Sequence, residues 1–530
     1  MASSNSADRT APQAPGRGSL APLHGSALIF GSVALSLATF MNVLDLSIAN
    51  VSIPAIAGDL AVSPDQGTWV ITSFGVANAI SLPLTGWLTQ RYGQVRLFVG
   101  SVLLFVLASI LCAFAPTLGL LIAFRVLQGA VAGPMIPLSQ SLLLSSYPKA
   151  KAGSALAIWG ITTLVAPVVG PLLGGWITDN ISWPWIFYIN VPVGLAAAGV
   201  TWIIYRTRET PTHKRPIDGI GLGLLVLWVG ALQIMLDKGK DLDWFGSTQV
   251  WILAIAAVVG LALFVVWELT EEHPVVDLHL FARRNFWTSS LAMSLAYGAF
   301  FGNVVLLPLW LQQYMGYTAT QAGMVLAPVG VLAIILTPPV GRTVHKVDPR
   351  LFATGAFLIF ALVLFMRSQF NTSADFWTLL VPTFIQGAAM AIFFIPLVTL
   401  SLSGLEPEKI PSASGLFNFA RITAGSFGTS IATTFWDHRA TLHHAQLVEH
   451  LGGPDGASSE ALAGLQAGGM TPEQSYGVLN RLVDQQAFML SANDVFYVSA
   501  LLFLALIAVV WLARPVRGAP EAKDAVAGAH

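Results

Sequence analysis

Three ionisable side chains, Asp45, Arg125 and Arg421, stand inside long apolar stretches of this 530-residue chain. A charged group inside a lipid bilayer is costly unless it is paired or faces water, so each is a candidate for chemistry. Asp45 lies about eleven residues before the end of its stretch and Arg125 about eight after the start of its own, which places both roughly 12–16 Å below one membrane surface. We therefore predict that Asp45 and Arg125 meet.

A carboxylate beside a guanidinium can bind and release a proton as its surroundings change. The attraction favours the charged carboxylate and burial favours the neutral acid, so water entry or substrate binding shifts the balance. The alternative is a static ion pair that only fixes helix packing. Arg421 has no acidic residue deep in the neighbouring stretches. Three roles stay open for it: extending to the membrane surface, binding backbone carbonyls, or contacting a substrate.

The composition indicates a polytopic membrane protein. Of the residues 55% are hydrophobic and 10% charged, with a mean hydropathy of +0.70, whereas soluble domains carry about 25% charged residues. A soluble globule, a disordered chain and a fibrous protein are thereby excluded. The net charge of -1 argues against a nucleic-acid partner. A single cysteine, Cys112, excludes an internal disulfide and a thiolate metal cluster.

Fourteen apolar stretches are long enough for membrane-spanning helices, which need roughly 20 residues each. They lie near residues 27–56, 66–89, 95–115, 117–145, 152–176, 184–205, 217–236, 246–267, 286–312, 319–340, 350–366, 376–402, 411–436 and 490–513. With both termini cytoplasmic, nineteen of the 26 Lys and Arg residues fall in cytoplasmic segments, as the positive-inside rule requires. Five fall on the opposite side: Lys238, Lys240, Arg367, Arg439 and Arg481.

Parts of the first spans recur later in the chain. A glutamine, a glycine and a basic residue spaced by 20 and 5 residues occur twice, as Gln66, Gly86 and Arg91 and as Gln321, Gly341 and Lys346. Similarly, Leu127-Gln128-Gly129 resembles Ile385-Gln386-Gly387. Unless this is chance similarity of apolar sequence, it indicates two homologous six-helix halves, as in secondary transporters whose substrate site lies between the halves.

We therefore predict an all-α polytopic membrane protein with two six-helix halves plus two inserted helices. The predicted segments are a disordered cytoplasmic tail (1–25), an N-terminal half (26–205), an inserted helix pair with linkers (206–284), a C-terminal half (285–513) that includes a periplasmic loop (437–489), and a cytoplasmic tail (514–530).

Four motifs occur at defined spans of the first half. They are Leu44-Asp45 with Asn50-Val51 and Pro54, the segment from Gly86 to Arg96, Arg125 with Gln128-Gly129, and Gly170-Pro171-Leu-Leu-Gly174-Gly175. They resemble, in that order, the span 1 signature of fourteen-helix drug:proton antiporters and motifs A, B and C of the major facilitator superfamily. Gln90 and Gln94 depart from the acidic and basic residues of motif A. Residues 26–515 are similar to the EmrB branch, most clearly at 68–80, 185–194, 232–239 and 317–320.

The resemblance implies the major facilitator fold and proton-coupled export of lipophilic drugs by alternating access. It implies that the proton gradient drives export and that no cofactor is needed. It implies an inner-membrane pump that works with a periplasmic adaptor and an outer-membrane channel. Proton coupling is assigned to Asp45 and Arg125. Conformational coupling is assigned to Gly86, Arg91, Gly93, Arg96, Gly170, Pro171, Gly174 and Gly175.

Polyspecific cavities have apolar and aromatic walls with few polar groups. By their position in the spans, the candidates for this wall are Asn78, Gln128, Trp159, Tyr297, Phe301, Asn303, Phe394, Asn418 and Arg421.

The loop 437–489 carries leucines at heptad-like spacing and is a predicted docking surface for the adaptor. Its four histidines lack a cysteine or a tight acidic pattern beside them, which favours a solvated helix face over a metal site. They are His438, His443, His444 and His450.

Other functions fit the sequence less well. A stand-alone drug antiporter and a proton-coupled symporter of a small organic solute share the fold. An embedded enzyme would need a catalytic group, yet no histidine or second carboxylate lies deep in the spans. A channel or scaffold needs neither the repeat nor the Asp45–Arg125 pair, and ATP drive is disfavoured because the sequence has no P-loop.

Overall fold

The computed structural model describes residues 22–148, 151–212, 216, 218–240, 242–344, 346–451 and 457–515. Within these residues all regular secondary structure is helical. Most of both predicted tails lies outside the described residues, as do the basic residues Lys149, Lys214 and Arg215.

Each predicted span coincides with one helix or with two consecutive helices. We number them α1 (Gly25–Asp59), α2 (Trp69–Ser81 and Thr85–Tyr92), α3 (Gln94–Ala113), α4 (Leu118–Ser146), α5 (Ala152–Asn180), α6 (Trp185–Tyr205), α7 (Gly219–Lys238), α8 (Thr248–Thr270), α9 (Arg284–Tyr314), α10 (Gln321–Thr343), α11 (Pro349–Arg367), α12 (Phe376–Leu402), α13 (Ile410–Leu451) and α14 (Pro472–Trp511). In the described part of the chain, eleven are long and apolar enough to cross a membrane, and α2, bent by 63°, adds a twelfth. The helices α5 and α13 occupy the other two predicted positions, so the count of fourteen spans and the cytoplasmic termini stay predictions.

The helices of the two halves pack in the same pattern. α1 packs on α5, α2 on α4 and α3 on α6, and the corresponding pairs are α9 with α13, α10 with α12 and α11 with α14. The contacts between the halves are also related by the repeat. α2 contacts α13, and α10, the counterpart of α2, contacts α5, the counterpart of α13. α7 packs on α8 and also contacts α2 and α13. The packing thus repeats with an offset of eight helices, as the sequence repeat suggests; the boundaries near 205 and 285 remain predictions.

At the end of the bundle that carries both termini, here called the inner end, the halves touch. A Cβ at Gly86 of α2 would lie 2.5 Å from the Ser412 Cβ of α13, and one at Gly341 of α10 would lie 2.7 Å from the Gly153 carbonyl oxygen of α5. Two repeat-related glycines therefore allow the close approach that seals this end. The Ser414 hydroxyl also hydrogen-bonds the Gln140 side chain across the two halves.

At the opposite, outer end the halves separate around a cavity of about 800 Å³. Its wall includes Trp176 and Asp179 of α5 and Gln312 of α9, all exposed. Towards the inner end, the rings of Trp159 and Phe394 meet across the halves with centroids 5.1 Å apart. The structure is therefore open outward and closed inward.

The predicted loop 437–489 is for the most part a helical hairpin. α13 continues to Leu451 and α14 begins at Pro472, with a short helix, Ala457–Ala467, between them. Thr471 forms a capping box at the start of α14, and no glycine or proline interrupts 437–451, so both helices continue. The 42 residues of α13 span roughly 63 Å, about twice the apolar core of a bilayer. The outer part of this hairpin therefore projects beyond the membrane.

Candidate functional site

A buried polar cluster lies inside the N-terminal half, centred on Asp45 of α1. Its carboxylate accepts hydrogen bonds from Arg125 Nη1 at 2.5 Å, Asn190 Nδ2 at 2.9 Å and Gln128 Nε2 at 3.1 Å. These donors come from α4 and α6. The two residues that the sequence placed at comparable depth are therefore in direct contact, while their role in proton coupling stays a prediction.

The Arg125 side chain is fixed by its surroundings. Its Nε donates to the Val70 carbonyl of α2 at 2.9 Å and its Nη1 to Gln128 Oε1 at 2.7 Å. The guanidinium lies 4.3 Å from the centroid of the Phe74 ring. Held in this way, the planar guanidinium of Arg125 presents one edge to the Asp45 carboxylate in a defined geometry.

Ser109 of α3 completes the cluster. Its hydroxyl oxygen accepts from Gln128 Nε2 at 2.8 Å and from Asn190 Nδ2 at 3.3 Å. Asp45 and Arg125 are 1% and 0% exposed, so in this outward-open structure the ion pair is sealed from the cavity. The ion pair and the hydrogen bond from Gln128 join α1 to α4.

Asn190 was not among the predicted site residues. It is uncharged, and only its place in the 185–194 segment, where the family resemblance is clear, pointed to it. Its contact depends on how α6 packs against α1, which the spacing of residues along the chain does not reveal.

We expect Asn190→Leu to slow proton-driven export about tenfold. The charged carboxylate of Asp45 loses one of three donors, and a hydrogen bond to a charged group is worth about 1.5–3 kcal/mol. The measurement is the export rate in proteoliposomes with an imposed pH gradient. Asn303→Leu is the matched control, because Asn303 is a buried asparagine bound to Ser499 rather than to a carboxylate. Export by Asn190→Leu at the rate of Asn303→Leu would contradict this role.

Four of the predicted cavity residues line the central cavity: Tyr297, Phe301, Phe394 and Arg421. They come from α9, α12 and α13 of the C-terminal half. Aromatic side chains that the sequence did not single out complete the wall: Phe300, Phe393 and Trp176.

The other five predicted cavity residues do not line the wall. Gln128 belongs to the Asp45 cluster, and Asn78 is buried in the α2 packing. Trp159 is fully buried beneath Phe394. The two asparagines are turned to protein partners: Asn303 donates to Ser499 of α14, and Asn418 donates to the Ser414 carbonyl. For each, helical position alone did not give the direction of the side chain.

The side chain of Arg367 is buried, which the sequence did not predict. The sequence places Arg367 on the outer side, beyond the span 350–366; it is the last residue of α11, and its side chain is 2% exposed and part of the cavity wall. Its Nη2 donates to Thr383 Oγ1 at 3.0 Å and to Gln386 Oε1 at 2.7 Å on α12. A long side chain at a helix end can fold back into the bundle, which the position of its backbone does not indicate.

The glycines of the segment 170–175, which resembles motif C, allow α5 to pack closely on α1. A Cβ at Gly170 would lie 2.5 Å from Ser47 Cβ, and one at Gly174 would lie 2.7 Å from Ile48 Cγ1. Gly175 lines the cavity. The side chain of Pro171 lies outside the described residues. This motif therefore holds α5, which also contacts α10, tightly against the helix that carries Asp45.

The segment 86–96, which resembles motif A, forms the turn between α2 and α3. Gly93 has φ +85°, a left-handed conformation that favours glycine. The Glu209 carboxylate, which follows α6, accepts from the backbone N–H groups of Val95 and Arg96 at 2.9 Å each and so caps α3. Arg91 lies over the Trp87 ring, 5.5 Å from its centroid.

Residues 35–429 match the family model described as Major Facilitator Superfamily. The chain belongs to the major facilitator superfamily. The chain is 52% identical over 500 residues to the multidrug export protein EmrB of Escherichia coli K12, and the alignment covers 94% of this chain and 98% of that one. It is 47% identical over 494 residues to the fatty acid resistance protein FarB of Neisseria gonorrhoeae, covering 93% and 97%. The human organic anion transporter MFSD10 has the same fold, with a TM-score of 0.56 at 14% identity over 92% and 100% of the two chains.

Proposed function

We propose that this facilitator exports lipophilic small molecules, including drugs, in exchange for protons by alternating access. The observation that carries the proposal is that the cavity and the buried ion pair lie in different halves. The aromatic cavity lies mainly on helices of the C-terminal half, and the buried carboxylate–guanidinium pair lies within the N-terminal half. The relatives that cover nearly the whole chain, among them a multidrug export protein, support the same function.

The geometry supports the following cycle. In the outward-open state the substrate leaves the cavity and the Asp45 pair is closed. Because Asp45 is buried in this state, the cluster opens transiently to admit a proton from outside, which neutralises the carboxylate and loosens α1 from α4. The glycine contacts at the inner end then part, and the cavity opens inward. Binding of a new substrate and release of the proton inward restore the ion pair and return the bundle to the outward-open state.

Reconstitution into proteoliposomes with an imposed pH gradient tests this function. A panel of lipophilic toxicants should move against the proton flow, and collapse of the gradient by an ionophore should stop transport. Movement of substrates in the same direction as protons would instead support a symporter, and transport that ignores the gradient would contradict proton coupling.

We further propose that the chain is the inner-membrane pump of an assembly with a periplasmic adaptor and an outer-membrane channel. The helical hairpin beyond the membrane supports this part. Its two helices are held together where Arg439 and His443 bind Asp494 at 2.6 and 2.8 Å. On its surface Leu442 and Tyr476 are 43% and 61% exposed. A stiff projection with exposed apolar side chains suits a protein partner.

Deletion of residues 440–485 is expected to abolish co-purification of the adaptor and to leave proton-driven transport in proteoliposomes within about twofold of wild type. The deletion keeps Arg439 and Asp494, which join the helices at the base of the hairpin. The deletion variant and the full chain are co-expressed with the adaptor and compared by affinity purification. Unchanged recovery of the adaptor would rule out the hairpin as its docking surface.

A further inference from the structure

Two contacts join the halves between the cavity and the inner end. In the first, the Ser414 hydroxyl of α13 hydrogen-bonds the Gln140 side chain of α4. In the second, the rings of Trp159 of α5 and Phe394 of α12 meet with their centroids 5.1 Å apart. All four residues are buried, so both contacts are closed to water in this outward-open structure.

The two contacts share an anchor on α4, in the N-terminal half. Trp159 Nε1 donates to Ser139 Oγ at 2.9 Å, and Ser139 directly precedes Gln140 in the sequence. Thr39 of α1 donates to the same Ser139 oxygen at 2.7 Å. Two consecutive residues of the helix that also carries Arg125 therefore hold the N-terminal side of both contacts.

Arg421 connects the same two contacts on the side of the C-terminal half. Its Nη2 donates to Asn418 Oδ1 at 2.9 Å, and its guanidinium lies 5.2 Å from the centroid of the Phe394 ring. Asn418 Nδ2 donates to the Ser414 carbonyl at 2.8 Å and lies 3.5 Å from Gln140 Oε1. Arg421 lines the cavity and is 4% exposed, so it does not extend to the membrane surface. A single cavity residue is thus linked to both contacts between the halves.

The polar contact is suited to opening and closing. When the halves separate, Gln140 and Ser414 can hydrogen-bond water, whereas an apolar contact would expose apolar surface. Gln140 Nε2 is also buried without a hydrogen-bond partner in the described structure. A buried donor without a partner is costly, and water relieves that cost when the contact opens. The closed contact is therefore opposed by a cost that opening removes.

We propose that Gln140 and Ser414 form a gate at the inner end and that Asn418 links this gate to the cavity. A molecule that shifts Arg421 in the cavity changes the contacts of Asn418 and Phe394 together, and so alters both contacts between the halves. Gln140, Ser414 and Asn418 are positioning residues, because the described cavity wall does not include them. The role of Asn418 rests on the proposed export function, whereas the gate can be tested without transport.

Two variants of the gate should have opposite effects on the conformational equilibrium. The readout is labelling of a Gln312→Cys thiol, exposed in the outer cavity, by a membrane-impermeant maleimide. Ser414→Ala leaves Gln140 without its hydroxyl donor, so we expect the closed inner end to be less populated and labelling to slow at least threefold. Gln140→Leu/Ser414→Ala leaves no unpaired polar group at the gate, since Asn418 keeps the carbonyl of residue 414. Labelling of this double variant should equal or exceed that of wild type, and its export should fall about tenfold because opening exposes apolar surface.

Ser401→Ala is the matched control for Ser414→Ala. Ser401 is a buried serine of α12 whose hydroxyl donates to the Val398 carbonyl of its own helix, so labelling should stay within about twofold of wild type. Equal labelling of Ser414→Ala and Ser401→Ala would overturn the gate. So would slowed labelling of the double variant, which would indicate a general loss of packing. If Ser414→Ala does not fold, the double variant still decides, because wild-type export by it would overturn the proposal.

The link to the cavity is tested by the kinetics of Asn418→Ala. The cavity wall stays intact, so we expect KM for a lipophilic toxicant to stay within about twofold of wild type and kcat to fall about tenfold. Asn303→Ala is the control, because Asn303 is a buried asparagine outside the described cavity wall that donates to Ser499. A raised KM with unchanged kcat would show that Asn418 contacts the substrate and would overturn the link. If the wild-type protein transports no toxicant, the export function fails, while the labelling of Gln312→Cys still decides on the gate.

Discussion

Asp45→Asn is expected to abolish proton-driven export, lowering the rate at least a hundredfold, while substrate binding in the cavity is retained. The amide can still hydrogen-bond Gln128 and Asn190 but can neither carry the exchangeable proton nor neutralise Arg125. Because Asp45 lies among helices of the N-terminal half and the described cavity wall does not include it, affinity for substrate should change less than about threefold. Rates are measured in proteoliposomes with an imposed pH gradient, and affinities with purified protein.

A double variant separates coupling from folding. Asp45→Asn alone leaves Arg125 buried without its counter-ion, which costs about 3–5 kcal/mol for a buried pair. Adding Arg125→Gln removes that unpaired charge, so the thermal stability of Asp45→Asn/Arg125→Gln should recover towards wild type while export stays absent. Recovery of export together with stability would show that the pair only supports packing.

The Asp45–Arg125 contact could be predicted from sequence because membrane depth is readable from the ends of apolar stretches. The partners that complete the cluster could not. Ser109 and Asn190 are neutral, and their contact with Asp45 and Gln128 depends on how α3 and α6 rotate about their own axes. In a span that is apolar on every side, the hydrophobic pattern hardly indicates how the helix is rotated about its axis.

The cavity shows the same limit more clearly. Span positions identified Tyr297, Phe301 and Phe394, which line the cavity. The burial of Arg367 was not predicted, because a charge at the end of an apolar stretch is typical of a loop residue, whereas this side chain reaches Gln386 in the neighbouring helix. Side-chain direction at helix ends is set by tertiary packing, which local sequence does not encode.

Gly86→Val is expected to shift the protein away from the outward-open state and to reduce export about tenfold or more. Even a Cβ at this position would lie 2.9 Å from the Cα of Ser412, so the inner end cannot close without displacing α2 or α13. Overpacking of this kind costs about 1–3 kcal/mol, which lowers the ratio of outward-open to inward-open protein roughly 5- to 150-fold. The readout is labelling of a Gln312→Cys thiol in the outer cavity by a membrane-impermeant maleimide.

Gly100→Val is the matched control for Gly86→Val. No atom lies within 4 Å of a Cβ built at Gly100, so labelling and export should remain within about twofold of wild type. The native cysteine, Cys112, is buried and adds little background. If Gly86→Val labels and exports like Gly100→Val, the inner-end glycine contact does not govern the conformational equilibrium.

We propose that substrate and proton cross the membrane in opposite directions, and that the proton binds to Asp45 on its way. The most direct measurement loads proteoliposomes with substrate and a pH-sensitive dye, sets the pH equal on both sides, and follows the lumen as the substrate leaves. Acidification of the lumen by the wild-type protein, and none with Asp45→Asn, is the predicted result. Alkalinisation of the lumen, or acidification that persists in Asp45→Asn, would contradict it.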